Sequence, residues 1–175
     1  MGNVDISVHE TMADHAISLS ERGKAQAVQA GEQLNEYLGT LSVVGPVRLW
    51  TSPYKRTRQT ADGLQQSAGS WIEDRREHIL LCEQQFGLFD GVPDGDLAAR
   101  FPDEYAHFEK QERFEGKFWA RNPLGESRFD VATRVHQAFG TFHRDADNHG
   151  IEDIIVICHG VTLRAFVMML WLQAG

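Results

Sequence analysis

The chain has 175 residues, a length that suits one domain. Its hydrophobic fraction of 42% and charged fraction of 24% are close to globular averages, and they exclude a disordered chain or a fibrous repeat. The formal net charge of −8 argues against a general binder of nucleic acid or of anionic membranes, which needs a basic face.

Cysteine content and hydropathy predict where the protein resides. Two cysteines, Cys82 and Cys158, cannot form a disulfide framework, and a reducing setting is the default for such a chain. Residues 1–10 lack the apolar core of a signal peptide, and the longest apolar run, residues 165–172, is far shorter than the ~20 residues that span a bilayer. We therefore expect a soluble, cytoplasmic protein with a single domain, residues 1–175.

Apolar periodicity and turn residues predict that helices and strands alternate along the chain. Ser20 is the expected N-cap of the first long helix and Gly39 its expected stop, while Ser52 followed by Pro53 predicts the start of the next helix. Ser127, with Asp130 three residues later, resembles a capping box. The predicted helices cover residues 20–38, 52–66, 96–101, 103–115, 127–147 and 161–171, the strands cover residues 47–51, 79–82 and 154–157, and the loops cover residues 1–18, 84–95 and 123–126.

Strands that alternate with helices predict an α/β layered fold with a largely parallel sheet. Sheets of this kind bind ligands beyond the carboxyl ends of their strands. Two polar clusters fall at such ends, Thr51-Ser52 after the first predicted strand and Cys158-His159-Gly160 after the last. We expect the functional residues at this edge of the sheet.

Three basic residues, Lys55, Arg56 and Arg58, lie in the first turns of the second predicted helix. A helix N-terminus carries about half a positive charge and free backbone N–H groups, and arginine adds a bidentate clamp for phosphate. The segment therefore predicts an anion site. The alternative is a solvated basic face whose charge is balanced by Asp62, Glu73 and Asp74.

His159 and Glu83 are the candidates for acid–base chemistry. His159 follows the most apolar strand, and the adjacent Gly160 lets a ligand approach closely, which suits a nucleophile, an acid–base group or a charge stabiliser. The alternative is a hydrogen-bonded core histidine. Glu83 follows a predicted strand and precedes a loop with Phe86 and Phe89, and a carboxyl group next to apolar rings suits a proton donor. The alternative is an exposed loop acid.

The remaining histidines predict no metal site. His136, His143 and His149 do not have the spacing of a pair of ligands on one helix face, and we interpret them as surface residues. We expect neither a metal nor another cofactor.

Five segments stand in a characteristic order: LSERGKAQA at 19–27, TSPYKRTRQTA at 51–61, EQQFGLFDG at 83–91, PLGES at 123–127 and IIVICHGVTLR at 154–164. Together they resemble the histidine phosphatase superfamily, also called phosphoglycerate mutase-like, and are most similar to its broad-range phosphatases. The resemblance covers nearly the whole chain. It implies a three-layer α/β/α sandwich with a mostly parallel sheet.

The resemblance also implies roles for the matched residues. Arg56 matches the phosphate-binding arginine, Glu83 the proton donor, and His159 the second histidine beside the transferred phosphoryl group. The chemistry is coherent, because a phosphoryl group needs its oxygens neutralised and its leaving oxygen protonated. The other matched positions are Asn3 and Gly160 as phosphate contacts and Glu126 and Ser127 in the substrate-side loop.

The opening motif of the family has no match here. Its members begin with a strand that ends in Arg-His-Gly, whose histidine is the nucleophile and whose arginine binds phosphate. The sequence from Met1 resembles the segment after that motif, and His9 and His15 lie too far downstream to align with the nucleophile. We expect a chain truncated at both ends relative to the family, without the first strand and the C-terminal end.

The resemblance implies hydrolysis of a small-molecule phosphomonoester through a phosphohistidine, and it favours a phosphatase over a mutase because nothing marks a second phosphate site. Whether the chain as written is an enzyme depends on the unmatched nucleophile. One alternative is a non-catalytic module that binds phosphate ligands through Arg56 and His159. Another is a cysteine-dependent phosphatase in which Cys158 and Arg164 form a C-x5-R motif, with Ile157 in place of the usual histidine. The oligomeric state is left open.

Overall fold

Seven α-helices and three β-strands lie within residues 8–41 and 46–173, the part of the chain that the computed structural model describes. Single 3₁₀ turns connect several of them, at Asp14–Ala16, Gly69–Trp71, Ile79–Leu81, Gly87–Phe89 and Asp94–Asp96. The helices are α1 (Val8–Thr11), α2 (Glu21–Thr40), α3 (Lys55–Ala68), α4 (Leu97–Arg100), α5 (Pro102–Glu115), α6 (Arg128–His149) and α7 (Gly160–Gln173), and the strands are β1 (Val47–Thr51), β2 (Ile72–Glu77) and β3 (Asp153–Ile157).

The described residues fall into two compact units, each assembled from separate stretches of the chain. The sheet unit contains all three strands and comprises residues 14–41, 46–82 and 137–159. The second unit comprises residues 8–13, 83–136 and 160–173. That residues 1–175 act as a single domain stays a prediction.

The three strands form a parallel sheet in the order β2-β1-β3. Thr51, the last residue of β1, is in register with Glu77 of β2 and with Ile157 of β3. Because the strands are parallel and in register, their carboxyl ends meet at one edge of the sheet. The prediction of an α/β fold with a parallel sheet is confirmed.

Helices cover both faces of this sheet. Successive side chains of β1 point to opposite sides, and those on each side pack against a helix. Leu49 is buried in an apolar cluster with Ala61 and Leu64 of α3. Trp50, the next residue, packs against Phe142 of α6, with 5.2 Å between the ring centroids. All five residues of β1 are buried as a result, and the sheet unit has the three-layer α/β/α arrangement that the resemblance implies.

Two glycines let α2 and α3 approach more closely than side chains would allow. A Cβ atom at Gly31 of α2 would lie 2.5 Å from the carbonyl oxygen of Leu64. A Cβ atom at Gly63 of α3 would lie 2.7 Å from the Cβ of Ala27. Real Cβ atoms do not tolerate such distances, so the two helices would have to separate.

We expect Gly31→Ala to lower the free energy of unfolding by about 1–3 kcal/mol, the usual cost of overpacking. Gly39→Ala on the same helix is the matched control, because nothing lies within 4 Å of its would-be Cβ. There the gain in helix propensity should stabilise the protein by up to about 1 kcal/mol. Urea unfolding followed by circular dichroism measures both variants. If they have the same stability, the close approach at Gly31 does not limit packing.

The second strand of the prediction is wrong. Residues 79–82, expected as a strand, begin with a 3₁₀ turn, and the strand beside β1 is instead β2, residues 72–77. Its sequence IEDRRE is mostly charged and lacks the apolar pattern of a buried strand. The structure accommodates these charges in ion pairs, Arg75 with Asp62 and Asp74 with Arg48. The strand gives way to the turn at His78, whose Nδ1 accepts the N–H of Leu80 at 3.1 Å.

Some predicted boundaries also differ from the structure. Of the loop expected at 1–18, residues 1–7 lie outside the described part of the chain, and residues 8–18 contain α1 and a 3₁₀ turn. Another turn forms at Gly87–Phe89 inside the loop expected at 84–95. Gly39 does not stop α2, which continues to Thr40 and is closed by the N–H of Leu41 donating to the carbonyl oxygen of Leu38. Leu41 caps the helix at a φ of −82°, so no left-handed residue is needed. Ser20 is confirmed as the N-cap, since its side chain accepts the N–H of Gly23.

The last helix, α7, is apolar on several sides. Ala165 and Phe166 are buried. Its exposed large apolar side chains are those of Leu163, Val167, Leu170 and Trp171. With 14 residues it is shorter than a bilayer-spanning helix, and across residues 8–41 and 46–173 no helix is both long and apolar enough to cross a membrane.

Candidate functional site

The carboxyl ends of β1 and β3 bring Ser52 and His159 together. Just beyond β1, the N–H of Ser52 donates to the carbonyl oxygen of Ile157 at 3.0 Å, which extends the strand pairing by one residue. His159 is 7% exposed, and its Nε2 lies 2.8 Å from Oγ of the fully buried Ser52. The hydroxyl of one strand end therefore fixes the imidazole of the other.

The ring of Tyr54 connects the histidine to the predicted phosphate-binding arginine. The rings of Tyr54 and His159 meet edge to face with 4.8 Å between their centroids. The guanidinium carbon of Arg56 lies 5.1 Å from the centroid of the same ring, within cation–π distance. His15 also faces this ring, at 6.3 Å. Arg56 and His159 are thus gathered around one buried aromatic side chain.

Ser52 has a different structural role from the predicted one. The helix does not begin at Ser52 and Pro53; α3 starts at Lys55, and its N-cap residue is Tyr54, which makes no side-chain capping bond. Ser52 Oγ accepts the N–H of Tyr54 at 3.3 Å and contacts His159, and Tyr54 keeps extended backbone angles just before α3. The hydroxyl of Thr57 donates to the carbonyl oxygens of Ser52 and Tyr54, both at 2.8 Å, and fastens the connection to α3.

The basic residues at the start of α3 have separate partners. The guanidinium of Arg56 forms an ion pair with Asp14. Arg58 forms a bidentate pair with Glu77, and the hydrogen bond and charge of that carboxylate raise the pKa of Arg58. The balancing acids Asp62 and Asp74 pair with arginines of the strands, and the side chain of Glu73 lies outside the described residues. The anion site at this helix stays a prediction.

Glu83 lies in the second unit at the start of α7. Its Oε1 accepts the N–H groups of Gln84 at 3.0 Å and of Val161 at 3.2 Å, so the carboxyl group is fixed against the first turn of the helix. It follows a 3₁₀ turn and not the expected strand. Gly160 leaves room beside it, because a Cβ there would lie 3.8 Å from Glu83 Oε2, an ordinary contact. Phe89, one of the rings expected near Glu83, is buried against Phe108, with 5.5 Å between centroids.

Arg134 of α6 connects Glu83 with the predicted substrate-side residue Glu126. Its Nε donates to Glu126 Oε1 at 2.9 Å, and its Nη2 donates both to Glu126 Oε2 at 3.2 Å and to the carbonyl oxygen of Glu83 at 3.1 Å. Glu126 Oε2 also accepts the N–H of Gln85 at 2.9 Å. Sequence reasoning missed Arg134, which belongs to none of the five segments.

Two loops of the second unit pack backbone to backbone around these side chains. The N–H of Leu88 donates to the carbonyl oxygen of Pro123 at 2.9 Å, and the N–H of Glu126 donates to that of Gln85 at 2.8 Å. Between them stands Leu124, an exposed residue with a φ of +56°, which is uncommon for a side chain of its size. These backbone hydrogen bonds fix the two loops that carry Glu83 and Glu126, the residues that Arg134 contacts.

Ser127, the other predicted residue of the substrate-side loop, forms the expected capping box. The N–H of Asp130 donates to Ser127 Oγ at 3.1 Å, and the N–H of Ser127 donates to Asp130 Oδ2 at 2.7 Å. Burial raises the pKa of Asp130, but the hydrogen bonds from Ser127 and the charge of Arg121 outweigh it, and the pKa of Asp130 is lowered. Any contact of Ser127 with substrate stays a prediction.

Two further predictions concern ligands. Asn3, a predicted phosphate contact, lies outside the described residues. Among the described residues, no three His, Cys, Asp or Glu side chains are grouped so that they could hold a metal ion. Of the three histidines interpreted as surface residues, His149 binds Asp145 at the end of α6.

Comparison with known proteins places these features in a family. A family model for the histidine phosphatase superfamily (branch 1) matches residues 7–174. The chain is 33% identical to the phosphoglycerate mutase-like protein AT74H of Arabidopsis thaliana over 182 residues, which cover 95% of this chain and 60% of the relative. It spans 53% of the related protein AT74 from the same plant, so it corresponds to little more than half of these relatives.

Solved structures agree with the fold. A mycobacterial glucosyl-3-phosphoglycerate phosphatase superimposes with a TM-score of 0.64 and 25% identity, covering 87% of this chain and 68% of that one. A phosphoglycerate mutase from Bacillus anthracis superimposes with a TM-score of 0.66 over 89% of this chain and 69% of that one, and at 19% identity it supports the fold alone. With a family match over nearly the whole sequence and a parallel α/β sheet of the same fold, the chain belongs to the histidine phosphatase superfamily, branch 1.

Proposed function

We propose that the protein is a phosphomonoester hydrolase that works through a phosphohistidine intermediate. The observation that carries the proposal is the grouping of Arg56 and His159 around Tyr54, just beyond the carboxyl ends of β1 and β3. Ligands of parallel sheets bind at this edge, and an arginine with a buried imidazole is suited to a dianionic phosphoryl group. The family and the similarity to a mycobacterial phosphatase support this chemistry.

Each group has a definite task in the proposed reaction. A histidine nitrogen attacks phosphorus, the bond from phosphorus to the ester oxygen breaks, and the leaving oxygen takes a proton from Glu83. Water then attacks phosphorus and gives a proton to the Glu83 carboxylate, the bond from phosphorus to the histidine nitrogen breaks, and inorganic phosphate leaves with both groups restored. During both steps Arg56 neutralises the phosphoryl oxygens and His159, held by Ser52, donates a hydrogen bond to them. The substrate is a small phosphomonoester.

The nucleophile is proposed to be a histidine outside these 175 residues. The resemblance assigns it to an Arg-His-Gly motif, and none of the eight histidines of this sequence stands between an arginine and a glycine. Hydrolysis would then require a segment with that motif, whereas the groups that bind and protonate the substrate are already present.

Hydrolysis of 4-nitrophenyl phosphate between pH 5 and 7 tests the proposal. We expect no turnover from the 175-residue chain and turnover after a strand that ends in Arg-His-Gly is added ahead of Asn3. In the extended protein, His159→Ala should lower kcat by at least about a hundredfold, the usual effect of losing one group that stabilises developing charge. Cys158→Ser, one residue away, should leave kcat unchanged.

The same assay separates the alternatives. Activity that disappears in Cys158→Ser would identify the cysteine-dependent phosphatase. Saturable binding of inorganic phosphate without turnover in either form of the protein would identify the non-catalytic binding module. Turnover by the 175-residue chain that requires His159 would show that the nucleophile lies within it.

A further inference from the structure

Among the described residues, the Arg56 guanidinium donates its hydrogen bonds to Asp14, in the 3₁₀ turn that precedes α2. Arg56 Nη1 donates to Asp14 Oδ1 at 2.8 Å, and Nη2 donates to Oδ2 at 3.1 Å. Nη1 also donates to the carbonyl oxygen of Asp14 at 2.7 Å. Side chain and backbone of Asp14 together take three of the five N–H groups of this arginine.

These contacts involve one edge of the guanidinium, and the other edge makes no contact with Asp14. The end edge, formed by Nη1 and Nη2, faces the carboxylate of Asp14. The side edge, formed by Nε and the second N–H of Nη2, presents two parallel donors, and within the described part of the chain no acceptor meets them. Two parallel N–H groups fit two oxygens of a phosphate. Arg56 can therefore bind Asp14 and a phosphate at the same time.

The turn that carries Asp14 is itself firmly attached. Ile17 is buried, and its N–H donates to the carbonyl oxygen of Asp14 at 3.3 Å. The N–H of Leu19 donates to Oε1 of Gln59 at 2.7 Å. Gln59 and Arg56 are three residues apart on α3, so they lie on the same side of the helix. Asp14 is thus a fixed support against which the guanidinium is oriented, while the ring of Tyr54 packs on it.

We propose that Asp14 is a positioning residue, which holds Arg56 so that its side edge faces the phosphoryl group. The proposal rests on the proposed function, because it assigns the side edge of Arg56 to phosphate. Without Asp14, the side chain of Arg56 would lose its rotamer freedom only when phosphate binds. The free-energy cost of that loss would weaken the binding of phosphate.

Two variants distinguish orientation of Arg56 from simple attachment of the turn. Asp14→Asn keeps the size of the side chain and removes the charge and one acceptor. Gln59→Ala is the matched control, since it removes the other hydrogen bond between the same turn and α3 and leaves the Asp14 carboxylate in place. We measure the affinity for inorganic phosphate by calorimetry and the mobility of the Arg56 Nε–H group by ¹⁵N relaxation, both with the 175-residue chain.

We expect Asp14→Asn to weaken phosphate binding about tenfold and to make the Nε–H group of Arg56 mobile, and Gln59→Ala to change neither. An Nε–H group that stays rigid in Asp14→Asn would overturn the proposal. Tighter phosphate binding in that variant would also overturn it, because Asp14 would then compete with phosphate for the guanidinium. Equal effects in both variants would also overturn the proposal, because Asp14 would then only attach the turn to α3 and would not orient Arg56.

Failure of the proposed function has a different signature. The wild-type chain could bind no phosphate while Asp14→Asn, and not Gln59→Ala, makes the Nε–H group of Arg56 mobile. That result would support the positioning of Arg56 by Asp14 and would contradict phosphate binding at this site. Arg56→Ala then serves as the reference for a site without its guanidinium.

Discussion

Asp145→Ala is expected to lower the free energy of unfolding by up to about 3–5 kcal/mol, because it removes the buried anion beside Arg48 and leaves that buried guanidinium only its contact with the half-exposed Asp74. The side chains of Arg48 and Asp145 are 2% and 4% exposed, and Arg48 Nε lies 3.0 Å from Asp145 Oδ2. Asp145 also pairs with Arg76 and lies 3.1 Å from Nδ1 of His149. Alanine removes the carboxylate beside both arginines and keeps the backbone carbonyl oxygen that His149 Nδ1 contacts at 2.9 Å.

Asp62→Ala is the matched control for Asp145→Ala. Asp62 also pairs with an arginine of β2, Arg75, at 2.6 Å, but its side chain is 63% exposed. Exposed pairs contribute about 0–1 kcal/mol, so this variant should unfold close to the wild type. Chemical unfolding of both variants, followed by circular dichroism, measures the difference. If Asp145→Ala costs no more than Asp62→Ala, water reaches Arg48 and the burial of this pair does not matter for stability.

Gly87→Ala is expected to lower the free energy of unfolding by about 2–5 kcal/mol, for two reasons that add. Gly87 has a φ of +61°, where a side chain costs about 1–2 kcal/mol. A Cβ atom there would also lie 2.1 Å from the carbonyl oxygen of Pro123 and 2.7 Å from the backbone nitrogen of Gly125, and overpacking costs about 1–3 kcal/mol. The loops that hold Glu83 and Glu126 would have to separate.

Gly150→Ala isolates the steric part of this effect. Its φ of +64° is nearly the same, and nothing lies within 4 Å of its would-be Cβ. We expect Gly150→Ala to cost only about 1–2 kcal/mol, and thermal unfolding of the two variants gives the difference. Equal costs would mean that the loops around Gly87 adapt to a methyl group without loss.

Local sequence patterns predict the elements that have a local signal. The strand β3 is apolar apart from Asp153, and the short strand β1 consists of strand-favouring residues apart from Arg48. The caps at Ser20 and at Ser127 are bonds between residues three apart. The strand β2 could not be found in this way, because its charged residues are compensated by partners that are distant in sequence.

The candidate site shows the same limit. Arg56, Glu83 and His159 stand in segments that identify the family, so their presence could be predicted. Their supports could not, because each lies on a segment far from the residue that it contacts: Ser52 beside His159, Asp14 beside Arg56, and Arg134 beside the carbonyl oxygen of Glu83. At Ser52 the local pattern predicts a helix cap, because the hydroxyl that would cap a helix is the same group that binds the imidazole.

The order of strands in the sheet determines when the protein can fold. The central strand β1 pairs on one side with β2, which follows it closely, and on the other side with β3, where Val47 is opposite Asp153. The chain between β1 and β3 must lose conformational entropy before the contacts between these two strands can form. Folding is therefore expected to be slow. On the ribosome, the edge of β1 that pairs with β3 lacks its partner until residues 153–157 have been synthesised, long after β1 itself. A nascent chain that contains β1 but not yet β3 therefore exposes a strand edge, a feature that promotes pairing with other chains and aggregation.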